Sequence, residues 1–106
     1  MNINLDKMRE EILQEIKKRG YESLRYSVLE NEKYKGEWEN HIDFENGKFY
    51  VYSTMDRASV AGKYDFESSL DAKNKFFELL DLTVKINRRS IERNKLPEYS
   101  SPLWDK

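Results

Sequence analysis

Cysteine is absent from this chain of 106 residues. That excludes a disulfide framework, a thiol nucleophile and a thiolate metal site, and it suits a reducing cytosol. Histidine occurs once, as His41. A Ser-His-Asp or Cys-His device would have a single base to draw on, and no Ser stands in a nucleophile-elbow context. Glycine is scarce, and each of the four is assignable to a turn, a cap or a bulge, so there is no glycine-rich phosphate loop. The longest stretch without a charged residue, Phe49 to Met55, spans seven residues, far short of the ~20 that cross a bilayer. The opening MNINLDKMREE carries acids and no apolar segment, so it is not expected to act as a secretory signal. A surplus of one charge is missing as well: the net is −1 although charged residues make up 37% of the chain. Bulk coating of nucleic acid needs a clear basic excess. These absences predict a non-enzymatic, cytoplasmic protein with no cofactor, no metal and no membrane segment.

What is present is patterned hydrophobicity, 38% of the residues, with rings supplying much of the volume: seven Tyr, five Phe and two Trp. A chain of this length can bury roughly two-thirds of its unfolded surface as one domain, residues 1–106. Leu5, Met8, Ile12 and Ile16 share one helical face, with Asn4 as the cap, Lys17, Lys18 and Arg19 at the negative end, and Gly20 as the left-handed stop. YESLRYSVLE alternates as a strand, and ENEKYKGE is polar and reads as a loop. EWENHIDF, residues 37–44, sets Trp38, Ile42 and Phe44 against Glu37, Glu39, His41 and Asp43. Asn46-Gly47 predicts a tight hairpin into KFYVYST, and VAGKYDF makes a fourth strand with a bulge near Gly62. Ser68 or Ser69 caps a last helix running to about Asn94. Its main stripe is Ala72, Phe76, Leu80, Val84 and Ile91; a second stripe, Leu79, Leu82 and Ile86, is left to meet the first helix, the tail or another chain. The tail, residues 95–106, has two prolines and is expected to dock through Tyr99, Leu103 and Trp104. The order predicts an α+β fold: a helix, a four-stranded antiparallel meander and a long C-terminal helix, both helices on one sheet face.

Charge is unevenly distributed along the chain. Glu30, Glu32, Glu37, Glu39, Asp43 and Glu45 stand against Lys33 and Lys35, while Lys85, Arg88, Arg89, Arg93 and Lys95 stand against Glu92. Either stretch is a solvated surface, or the pair forms a polarised surface that orients a charged partner. Glu39, His41 and Asp43 share a strand face, but positions two apart lie roughly 7 Å from each other, too far to close tightly on one ion. Arg88, Arg89 and Arg93 sit at helical spacing suited to phosphates, which makes a nucleic-acid or adaptor module the alternative; no recognisable motif accompanies them. Tyr50 and Tyr52 on a sheet face fit base stacking or plain sheet packing.

NGKFYVYSTMDRASVAGKYDFESSLDAKNKFFELLD, residues 46–81, resembles the latter half of small α+β immunity proteins from bacterial polymorphic-toxin systems. The likeness rests on Phe66, Ser68, Asp71, Ala72, Phe76 and Phe77 in that order. It implies a cytosolic, non-enzymatic protein that binds a toxin domain and blocks its active site or an adjacent surface. Toxins acting on nucleic acids often present basic surfaces, which Glu37, Glu39, His41 and Asp43, with Glu30 and Glu32, would meet. Trp38 is either an anchor of that contact or part of the core. A homodimer through Leu79, Leu82 and Ile86 is the other partner arrangement.

Overall fold

The computed structural model describes residues 4–31 and 35–105. Helix α1, Leu5–Lys18, begins where the Asn4 side chain accepts the Lys7 N–H at 3.0 Å. It ends in a double carbonyl capture, with Gly20 N–H on Lys17 and Tyr21 N–H on Ile16, made possible by the positive φ of Gly20. Strand β1 is short, Tyr26–Val28, and is followed by β2, Asn40–Glu45, β3, Lys48–Thr54, and β4, Val60–Phe66. Helix α2, Ser69–Glu92, runs without interruption from a Ser68 cap whose hydroxyl accepts the Asp71 N–H at 3.2 Å. Asn46 and Gly47 both adopt positive φ in the β2–β3 hairpin. The register of β3 on β4 slips opposite Gly62 and Lys63, where a bulge bends β4.

The sheet order is β1-β2-β3-β4, but the sheet is mixed and not the antiparallel meander that the pattern suggested: β1 runs parallel to β2, Tyr26 opposite Asn40. Alternation reveals which residues share a face, not strand direction. Direction here is set by the connection, which is long enough to return to the start of β1 rather than turn back on it. Leu29 and Asn31 take positive φ and steer the chain off the edge. The Asn31 amide then stands in for a strand residue, donating to Phe44 O at 2.9 Å and accepting Phe44 N–H at 3.0 Å. EWENHIDF is likewise shorter as a strand than it reads, because Trp38 sits in a bend at φ 57° and pairing starts at Asn40.

One core joins both helices to one sheet face. Met8, Ile12 and Ile16 of α1 and Ala72, Phe76, Leu80 and Val84 of α2 pack with Val28, Ile42, Phe49 and Val51. At 25 cal/mol per Å² such side chains each contribute about 1.5–3 kcal/mol. Ile91, at the end of the same stripe, emerges into solvent. The tail folds back on α2: the buried Asn87 amide oxygen accepts Glu98 N–H at 2.6 Å, and Arg88 Nε–H donates to Leu103 O at 2.9 Å. Tyr99, Leu103 and Trp104 are buried there, and the Trp104 indole N–H donates to Tyr99 O. Burial raises the Tyr99 phenol above its ordinary value despite the Arg25 N–H that it accepts.

Candidate functional site

The sheet face away from the helices carries Ser27, His41, Asp43 and Tyr52, and it is not the wet surface that period two predicts. His41 is fully buried; its ring stacks on Tyr52 at 4.9 Å, nearly parallel, and its Nε2 lies 2.9 Å from Glu39 Oε1. Tyr52 donates to Asp43 Oδ2 at 2.6 Å. Lys35 and Gly36, on the connection into β2, lie against this face, the first over the Tyr52 ring and the second with its carbonyl accepting from Thr54 Oγ1. Covering by a crossover connection is what dries a face that carries polar residues. Among the described residues, Ser27 Oγ, His41 Nδ1 and Asp43 Oδ1 find no hydrogen-bond partner, an unusual cluster for adjacent buried positions. Among the described residues, no three His, Asp or Glu side chains group as a metal site requires.

The acidic positions therefore do not form one patch. His41 and Asp43 are inside. Glu39 is half-buried, accepting Gly36 N–H at 2.9 Å as well as meeting His41. Glu30 is exposed but lies at the far end of β1, paired with Arg9 at 3.0 Å. Glu32 lies outside the described residues. Glu37 is exposed next to Trp38, and its Oε2 accepts the Arg57 N–H at 2.9 Å. Of the basic positions, Arg88 is committed to the tail carbonyl, whereas Arg89 and Arg93 are exposed and share a shallow depression with Lys85 and Lys95.

What the structure does bring together is a groove between α2 and the β3–β4 end of the sheet, walled by Trp38, Met55, Tyr64, Leu79, Leu82 and Ile86. Met55, Tyr64, Leu82 and Ile86 are each 42–47% exposed, so this is a contiguous apolar surface and not scattered side chains. Its floor is polar but internally satisfied: Ser53 donates to Asn40 at 2.6 Å, Asn40 to Thr83 at 2.9 Å, and Thr83 to Leu79 O at 3.0 Å. One end is strained. Trp38, Arg57 and Ala58 all hold positive φ without being glycine, and the Glu37–Arg57 contact ties the two strained segments together. Such outliers each cost about 1–3 kcal/mol and concentrate at binding and switch regions.

Leu82 and Ile86 were legible as an unassigned second stripe. Met55 and Tyr64 were not, and Trp38 was left between anchor and core, because alternation carries no information on which apolar positions the helices leave uncovered. The described helices include none long and apolar enough to cross a membrane. In comparison with known proteins, the family model Imm59, described as Immunity protein 59, matches residues 5–105. No curated protein and no solved structure matches.

Proposed function

The chain belongs to the Imm59 family of immunity proteins, and from that premise we propose that it binds a cognate bacterial toxin domain in the cytoplasm and neutralises it by covering its active site or an adjacent surface. The observation that carries the reading is the family match over residues 5–105, which takes in both helices, all four strands and the docked tail. An inhibitor of this kind needs no chemistry of its own, in keeping with a single histidine shut inside the sheet. It needs a surface whose shape is fixed before encounter, and the hydrogen-bonded floor beneath the groove provides one.

Glu37, exposed next to Trp38 in the chain and tied to Arg57 N–H, supports a steering contact with a basic partner. Co-expression with the toxin domain is the test: the wild-type chain restores growth, and a purified pair shows stoichiometric loss of toxin activity. Glu37→Lys is expected to slow association several-fold at low salt while leaving dissociation nearly unchanged, as rim charges do. Toxin that remains active at a twofold excess of this chain defeats the reading.

The exposed cluster Lys85, Arg89, Arg93 and Lys95 supports a second reading, a module for polyanions. Salt-dependent retention on heparin, abolished by Arg89→Glu with Arg93→Glu, is its test.

A further inference from the structure

Of the acidic stretch, Glu39 is the member that lines the groove among the described residues, half-buried beside Trp38, and Glu98 lines it as well. Leu82 and Ile86 belong both to the groove and to the basic depression of Lys85, Arg89, Arg93 and Lys95. Along α2 the positions Leu82, Ile86, Arg89 and Arg93 form one stripe, apolar in its first half and cationic in its second. Arg89 and Arg93 follow Ile86 by roughly 4.5 and 10 Å along the helix axis.

Asn40, Ser53 and Thr83 at the groove are hydrogen-bonded to one another and to Leu79 O. Its half-exposed walls, Met55, Tyr64, Leu82 and Ile86, are apolar. Beyond those walls, toward the C-terminal end of α2, an occupant meets uncompensated positive charge: Arg89, Arg93 and Lys85 are exposed, and none of the described salt bridges involves them. We infer that this groove is the docking site for the toxin, and that it takes a segment presenting an apolar side chain between Trp38 and Ile86 with one or more acidic residues beside it to meet Arg89 and Arg93. This rests on the immunity reading and sharpens it: the partner's contact segment is apolar and acidic where it meets α2, so the steering charge of this chain is basic there and acidic at Glu37. A buried apolar anchor supplies most of the affinity in such contacts, and the charges set orientation and encounter rate.

The probe is a catalytically inactivated copy of the toxin domain against which the chain protects in co-expression. Ile86→Asp and the pair Arg89→Glu with Arg93→Glu are compared with wild type by calorimetry and stopped flow. All three positions are exposed, so the variants are expected to melt like wild type. Ile86→Asp is expected to weaken binding at least 100-fold. The arginine reversal is expected to slow association about tenfold at low salt, an effect that fades as salt rises. Trp38 gives a local readout: Trp104 is buried in the tail, so loss of acrylamide quenching on binding reports the groove. Wild-type affinity in both variants, with Trp38 still quenchable in the complex, overturns the inference while leaving the immunity function standing. A wild-type chain that binds no toxin defeats the immunity reading itself. Light scattering that shows a dimer broken by Ile86→Asp assigns the groove to a second copy and overturns the inference as well.

Discussion

The two flanks of α2 are built from the same helix and finished differently. Toward α1 the seam is an open cleft of about 650 Å³, lined by charge and bridged by rings. Lys73 pairs with Glu11 at 3.7 Å, Arg19 with Asp81 at 3.5 Å, Tyr21 donates to Asp81 at 2.7 Å, and the Arg19 guanidinium lies 4.5 Å from the centroid of the Phe77 ring. Phe77 is buried beneath them. Toward β4, Lys75 reaches over Tyr64 at 4.3 Å, and beyond it Leu82 and Ile86 stand half-exposed. Long charged side chains laid over apolar ones are how a surface is sealed against association. Such cover is denser on the α1 flank, while on the β4 flank it stops at Lys75 and leaves Leu82 and Ile86 half-exposed.

Truncating an apolar side chain on each flank should separate the two most widely. Phe77→Ala is expected to lower unfolding free energy by about 3–4 kcal/mol, and Leu82→Ala by about 0.5 kcal/mol or less. Urea titrations giving equal losses would erase the distinction. A smaller effect is expected at the strained end of the β4 flank. Ala58 sits at φ 57°, so Ala58→Gly should raise stability by about 1 kcal/mol. Destabilisation on denaturant titration would show that the turn is not a store of strain.

The smallest effect should come from pH on the charge-lined flank. Desolvation, with the hydrogen bond to Asp81, raises the Tyr21 phenol above its ordinary value. A group whose folded value is raised contributes stability that is complete below its unfolded value, near 10, and is lost as pH climbs through the folded one. Tyr21→Phe should flatten the alkaline limb of a stability–pH curve, most visibly at low salt because Tyr21 and Asp81 are partly exposed. An unchanged alkaline limb would remove the Tyr21–Asp81 contact from the account of that seam.

Much of the frame was legible because it depends on local chemistry. Asn4, Gly20, Ser68 and Asn46-Gly47 fix caps and turns within a few residues of themselves, and the period of Met8, Ile12 and Ile16 or of Ala72, Phe76 and Leu80 names a buried stripe wherever its partner lies. The site was less legible. A face carrying Ser27, His41, Asp43 and Tyr52 reads as wet until the return connection covers it. Glu30 and Glu37 read as neighbours until the parallel crossover sends them to opposite ends of the sheet.

The sequence by itself determined the helices, the strands, the hairpin, the bulge and the existence of a spare apolar stripe on α2, because each follows from side-chain periodicity and backbone preference over one or two turns. Only the tertiary structure decided the direction of β1, the burial of His41 and the fate of that stripe. Those depend on contacts between residues tens of positions apart, such as Asn40 beside Thr83, Arg19 beside Asp81 and Arg25 beside Tyr99. Periodicity gives the face of an element; what lies across from it is settled by how the chain returns.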